Sequence, residues 1–312
     1  MNKYTIFTLG NDVVLDWLIG FFNSLRSINT TVKVKVIPFD DRIAKLKNLR
    51  ESFDFEIVEH SSLQDLEEIG TRFWDGNIMS GKTWRKLACF TVQDDPFIFM
   101  DSDIVFTENP DTLYDIYASS DSAFMCFDID ETQVYKRGLL RDFMKQKYNS
   151  RSFNSGCFIS KGSTFSIDEI REVASGAYSK KKDFLGWGDQ TFINYLLDTS
   201  EINVSVFSEV DKSYSPSTWA KNSIIDKEGK VFTKGKPMPF IHWAGYDIGF
   251  FMPSKSVYQE WRLHGAFKKD TREVRLRFLR SLFSIQLIKL LLKNLVPQGI
   301  KNYLKNRKYS DH

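Results

Sequence analysis

Cysteine is scarce in this chain of 312 residues, with only Cys89, Cys126 and Cys157, far apart and each inside an apolar run. An odd number without metal-ligand spacing excludes a disulfide framework and a cysteine metal site. We read all three as buried, reduced core residues. Long uncharged apolar runs are missing too. In the hydrophobic C-terminal region the stretch from Ser281 to Ile288 has only eight residues, far short of a bilayer span. The N-terminus, MNKYTIFTLGNDVV, lacks the hydrophobic region and small-residue cleavage site of a secretory signal, so a cytoplasmic location is expected. Internal repeats and low-complexity linkers are also lacking. What is present is the composition of a globular protein, 42% hydrophobic, 15% aromatic and 27% charged, enough for one large core or two smaller ones.

The net charge of +3 hides an asymmetry. Between Lys268 and Lys308 twelve basic residues face two acids, so this tail carries +10 and the remainder −7. Its basic residues are interleaved with leucine, isoleucine and phenylalanine, and Pro297 and Gly299 interrupt any helix. That pattern suits an interfacial helix on an anionic leaflet, where apolar burial and attraction to headgroups add. The alternative is a helix packed on the body or on a second subunit, as in a homodimer, with its charges solvated. Nucleic acid is disfavoured by the aliphatic content of the tail and by the absence of interleaved basic and aromatic residues in the body. We expect one domain over residues 1–265 followed by a basic amphipathic helical tail over 266–312.

Up to about residue 265 strand and helix patterns alternate. YTIFTL (Tyr4 to Leu9) reads as a strand, Val13 to Leu25 as a helix and VKVKVIPF (Val32 to Phe39) as a second strand, a βαβ opening. DFEIVE adds a short strand, and helical patterns follow over Leu63 to Phe73 and Thr83 to Val92. PFIFM is short and continuously apolar, as expected for a strand covered on both faces. Strands over 123–127 and 157–161 then alternate with helices near 134–147 and 166–178. The class is α/β with one mainly parallel sheet.

PFIFM runs directly into Asp101-Ser102-Asp103. In open α/β sheets ligands bind at the carboxyl ends of strands, and alternation lets residues i and i+2 face the same spot. Two carboxylates so close repel unless a cation lies between them, and carboxylate oxygens suit Mg²⁺ or Mn²⁺, which leave positions open for phosphate. A second Asp-x-Asp, Asp128-Ile129-Asp130, reads as a surface loop. Three further stretches carry chemistry: SFNSGCFISKG (Ser152 to Gly162), LGWGDQTFINYLL (Leu185 to Leu197) and PFIHWAG (Pro239 to Gly245).

In this order the motifs resemble the nucleotide-sugar glycosyltransferases of the GT-A fold over roughly residues 3 to 250. The resemblance is greatest to the retaining family that includes glycogenin and the bacterial lipopolysaccharide galactosyl- and glucosyltransferases. It implies a GT-A, Rossmann-like mixed sheet flanked by helices. Asp101, Asp103 and His242 would hold Mn²⁺ or Mg²⁺. Thr8, Gly10, Asn11 and Asp40 or Asp41 would bind the nucleoside of a donor, implied to be a UDP-hexose, with Ser102 beside them. Arg85, or Lys86 in its place, would reach the donor's sugar and diphosphate, and Asn154 and Ser155 would touch the sugar. Asp189 and Gln190 would lie nearest the anomeric carbon, and Trp187 could stack on a sugar or fill the core. The implied reaction is metal-dependent hexosyl transfer, with retention, to a glycan or lipid-linked acceptor by an enzyme peripheral to the inner face of the cell membrane. The family's lysine after His-x-x-Gly is missing: Ile248 stands there, and Lys255 is the nearest replacement. That departure motivates one alternative, a catalytically silent sugar- or nucleotide-binding protein of the same fold. FMDSDIV motivates another, a haloacid-dehalogenase-type phosphatase.

Overall fold

The computed structural model describes residues 3–93, 95–186 and 188–282. Its centre is a seven-stranded sheet containing β1 (Thr5–Gly10), β2 (Lys33–Pro38), β3 (Glu56–Ile57), β4 (Phe97–Met100), β6 (Phe124–Cys126), β7 (Cys157–Ser160) and β8 (Val204–Val206). The order is β3-β2-β1-β4-β7-β6-β8. Only β7 runs against its neighbours β4 and β6, whereas the pairs β1–β2, β1–β4, β2–β3 and β6–β8 are parallel. The sheet is thus mostly parallel, with one reversed strand.

The short apolar runs are buried on both faces. In β4, Phe97 and Phe99 enter one core layer, with Phe7, Phe90 and Phe158, while Ile98 and Met100 enter the other, with Ile6, Met125 and Ile159. A strand covered twice has no polar face to alternate, which is why PFIFM carries no period of two. Phe90 and Phe158 stack 5.5 Å apart in the first layer.

The expectation of a single sheet is corrected by two small additions. β5 (Ile104–Phe106) pairs antiparallel with β12 (Phe240–His242), and β9 (Ile224–Ile225), β10 (Val231–Thr233) and β11 (Lys236–Pro237) form a meander. These strands have two or three residues, too few for periodicity to reveal. Two helix expectations also shift. The segment after Thr83 is a 3-10 helix over Trp84–Phe90 that follows a short α-helix at Ile78–Thr83. The helix expected from 134 begins only at Leu139, after Gly138 at φ +145°.

Helix Thr271–Leu282 packs on the body: Val274 and Phe278 are buried with Trp17, Trp243 and Tyr258. Buried Arg262 is fixed between Asp16 at 2.8 Å and Asp270 at 3.2 Å. Among the described residues no helix is long and apolar enough to cross a membrane. The part of the basic tail beyond residue 282, and Trp187, lie outside the described residues.

Candidate active site

Asp101 and Asp103 occupy a turn between β4 and β5, not the strand itself. Two backbone hydrogen bonds set the turn. The Asp101 amide donates to Gly156 O at 2.7 Å, and the Trp243 amide donates to Asp103 O at 3.0 Å. The second follows from strand register, since β12 pairs His242 with Ile104. His242 is buried, and its Nε2 lies 3.3 Å from Asp103 Oδ1 and 3.8 Å from Asp101 Oδ2. One ligand atom from each of the three residues falls within 4.8 Å of the others. Two carboxylates and an imidazole form a candidate donor set for a divalent cation.

Lys86, on the 3-10 helix, is the cation at the centre of the site. Its buried Nζ lies 3.0 Å from Asp101 Oδ1, 2.9 Å from Asp189 Oδ2 and 3.2 Å from Ser155 O. It also sits over the ring of Phe99 at 4.7 Å. Burial works against its charge, but Asp101 and Asp189 outweigh that and hold its pKa above the ordinary lysine value. Burial, followed by the Lys86 charge acting the other way and by repulsion from Asp103, leaves Asp101 above the usual carboxylate range. For His242 burial favours the neutral ring, yet Asp103 and Asp101 reverse the balance and raise its pKa.

Asp189 and Gln190 open helix Gln190–Thr199 and face the loop before β7. Ser155 Oγ donates to Asp189 Oδ2 at 2.8 Å, and Gln190 Oε1 accepts from Asn154 Nδ2 at 3.1 Å and from the Ser155 amide at 3.3 Å. Gln190 Nε2 donates to Gln133 O at 3.1 Å. Behind them, the indole N–H groups of Trp74 and Trp84 both donate to Gly188 O, at 3.1 and 3.2 Å. Asn154, Ser155, Asp189 and Gln190 are therefore one hydrogen-bonded row, joined through Lys86 to Asp101.

A separate group stands at the end of β1. Asn11 Nδ2 donates to Asp40 Oδ1 at 2.9 Å, and Asp40 also pairs with Arg42 at 2.6 Å. Burial opposes ionisation of Asp40, but hydrogen bonds from Arg42 and Asn11 bring its pKa down to about 2. Asp41 is exposed. Thr8 is fully buried and its Oγ1 has no hydrogen-bond partner among the described residues. Gly10 lies tight against Leu18, where a Cβ would come within 2.8 Å of a methyl. Ser102 is half-buried in the acidic turn.

Of the two neighbouring cations, Arg85 does not join the cluster. Its guanidinium donates to Glu67 at 2.7 Å and to Pro38 O at 3.1 Å. Consecutive positions of a 3-10 helix point about 120° apart, so only one of the pair can face Asp101. Lys255 is turned elsewhere, over the rings of Phe250 at 4.2 Å and Phe278 at 5.6 Å.

Two residues escaped the sequence reading. Asp128, expected on a surface loop, is buried at φ +50° and accepts hydrogen bonds from the Thr218 amide at 2.7 Å and from the Thr218 hydroxyl. Thr218 O in turn accepts from the His242 amide at 2.9 Å. Asp130, in the same triplet, is half-buried just before the turn at 131–134 and accepts from the Thr132 amide at 2.9 Å. Nothing local separates the two aspartates. The second residue is Gly156, where a Cβ would lie 2.2 Å from His242 Cε1, 2.8 Å from Asn154 Oδ1 and 2.9 Å from Asp101 Oδ2. The signal was there, a glycine between a polar turn and an apolar strand, as where another group approaches the backbone closely.

No curated protein sequence matches the chain. Among solved structures, the galactosyltransferase LgtC in complex with donor and acceptor sugar analogues is similar at 15% identity and TM-score 0.51, over 83% of this chain and 95% of that one. The WbbM bifunctional glycosyltransferase in its apo form is similar at 13% identity and TM-score 0.54, over 89% of this chain and 52% of that one. This chain thus corresponds to about half of WbbM. At such identities the likeness is one of fold, that of the GT-A glycosyltransferases. The family model for nucleotide-diphospho-sugar transferases matches residues 82–243, more than half of the chain and the stretch holding Lys86, both acidic motifs and His242. The protein belongs to the nucleotide-diphospho-sugar transferase family and is a glycosyltransferase of GT-A type.

Proposed function

We propose that the protein moves a hexose from a UDP-sugar to a glycan or lipid-linked acceptor with retention of configuration, using Mn²⁺ or Mg²⁺. The observation that carries this reading is the continuity of the site: Asp101, Asp103 and His242 converge on one point, and Lys86 joins that point to the row containing Asp189. Asp101, Asp103 and His242 would hold the cation, which when bound supplies positive charge to the departing diphosphate.

The other roles follow from charge development. As the bond to the anomeric carbon breaks, negative charge collects on the leaving phosphate and positive charge on the sugar ring. Lys86 supplies a fixed, buried positive charge to the first side. Asn154, Ser155, Asp189 and Gln190 orient the sugar, and the Asp189 carboxylate stabilises the ring. Asp189 already accepts from both Lys86 and Ser155, which leaves it poorly placed to take the acceptor's proton. The leaving phosphate oxygen takes it on the same face, which gives retention. Asn11 and Asp40, preorganised with Arg42, form the nucleoside end. Arg85 acts indirectly, by fixing Glu67 and the end of β2.

We further propose that residues 1–265 carry this chemistry and that the basic segment 268–308 holds the protein on the anionic inner face of the cytoplasmic membrane. The test combines thermal denaturation with nucleoside diphosphates and Mn²⁺, which reports binding because a ligand of the native state raises its stability, with an assay for UDP release from UDP-hexoses. We expect UDP to stabilise the protein only with metal, and chelation to abolish UDP release. Stabilisation without release would point to the silent binder suggested by Ile248. Metal-independent release would overturn the proposed site.

A further inference from the structure

We propose that Lys82 holds the nucleoside-side phosphate of the donor's diphosphate, supplying the charge that Ile248 does not. This rests on the nucleotide-sugar reading above and names a residue that meets the donor between the two ends of that site.

Strand order fixes where Lys82 stands. In the central sheet β1 lies between β2 and β4, and all three are parallel, so their carboxyl ends form one rim. Neighbouring strands lie about 4.8 Å apart, which puts the ends of β2 and β4 about 10 Å from each other. Lys86 stands at the β4 end, on Asp101. Lys82 stands at the β2 end, with its Nζ 4.0 Å from Asp40 Oδ2. Between them lies the end of β1, where Asn11 donates to Asp40. Both lysines come from one continuous stretch, the short helix Ile78–Thr83 and the 3-10 helix after it, and four residues of such a stretch rise about 6–8 Å. One lysine thus marks the nucleoside end and the other the sugar end, and a diphosphate is what joins nucleoside to sugar.

The second observation is the state of the Lys82 ammonium. Its side chain is only 23% exposed, and among the described residues its one close polar partner is Asp40, beyond hydrogen-bond reach. Asp40 is satisfied without it. Arg42 donates to that carboxylate from its amide, Nε and Nη2 at 3.0, 3.0 and 2.6 Å, and Asn11 donates at 2.9 Å. The other cations of the rim are engaged. Lys86 has Asp101, Asp189 and Ser155 O, and Arg85 has Glu67 and Pro38 O. Elsewhere, Lys221 lies over the ring of Trp219 at 4.4 Å and Lys255 over that of Phe250 at 4.2 Å. A mostly buried ammonium with three donors to give suits phosphate oxygens. That phosphate keeps its charge while the sugar is transferred, so Lys82 binds ground state and transition state alike. Its loss should raise KM more than it lowers kcat, the reverse of the loss of Lys86.

The experiment is equilibrium binding of uridine, UMP and UDP at saturating Mn²⁺ to wild type, Lys82→Met, Lys82→Arg, Lys221→Met and Lys255→Met, with the melting temperature of each ligand-free protein. We expect Lys82→Met to bind UMP and UDP about ten- to a hundredfold more weakly, while its uridine affinity and melting temperature match those of wild type. Lys82→Arg should keep most of the affinity, since a guanidinium also grips phosphate. Equal weakening for uridine and UDP would overturn the assignment and make Lys82 a support of Asp40. Wild-type UDP affinity in Lys82→Met would overturn it too, and weakening in Lys221→Met or Lys255→Met would then give the place to that lysine. Failure of wild type itself to bind UDP would instead strike the nucleotide-sugar reading.

Discussion

The Lys86 ammonium lies 2.9 Å from the Asp189 carboxylate, and the same nitrogen reaches Asp101 at 3.0 Å. One buried cation thus ties the acidic turn after β4 to the start of helix Gln190–Thr199. Breaking a buried pair by removing one partner costs more than the pair contributes, because the remaining charge is left uncompensated.

Replacing Lys86 by methionine should therefore lower unfolding stability by about 3 kcal/mol in urea titrations and reduce UDP release at least about 100-fold. Arginine at the same position should not rescue it, since a guanidinium does not fit the space of a point ammonium between two carboxylates. Wild-type turnover in Lys86→Met would remove Lys86 from the site.

Gly156→Ala tests the closeness of the proposed metal triad to the backbone. The new methyl would meet His242, Asn154 and Asp101 at once, so His242 must shift from Asp103. Overpacking of this kind costs about 1–3 kcal/mol. We expect a folded protein, by circular dichroism, whose melting temperature no longer responds to Mn²⁺. A preserved Mn²⁺ response would show that His242 is dispensable.

Asp198 sets a pH dependence away from the site. Burial pushes its carboxyl up to about 6, against the hydrogen bond it accepts from Tyr135 at 3.0 Å. Below the unfolded value of 3.8 both states hold the proton and the group has no effect. As pH rises from there to about 6 only the folded state keeps it, so stability falls, and above that the full penalty persists. Asp198→Asn keeps an acceptor for Tyr135 and avoids the charge. It should stabilise the protein by about 3 kcal/mol at pH 7.5 and by little near pH 4, as read by denaturation at each pH. Equal effects at both values would dismiss the titration of Asp198.

The helix positions most accurately anticipated were those where one face is apolar over three turns, as in Ser62–Phe73 and Ile167–Ala177. The helix starts only at Leu139 because Val134 and Tyr135, although apolar, are buried at the end of a turn and in a bridge to Phe184. Both members of the acidic triplet at 101–103 were anticipated as a pair, yet a turn, not strand alternation, brings them together.

Local pattern was enough to determine the α/β class, the doubly covered strand before Asp101 and the residue types able to hold a cation. Those properties depend on neighbours within a few positions, so the order of the amino acids already contains them. The pairing of β12 with β5, which delivers His242 to Asp103, was decided only in three dimensions. So were the choice of Lys86 over Arg85, the burial of Asp128 against Thr218 and the empty Cβ position at Gly156. Each depends on the register and packing of segments far apart in the chain, where a shift of one residue would turn every side chain to the other face.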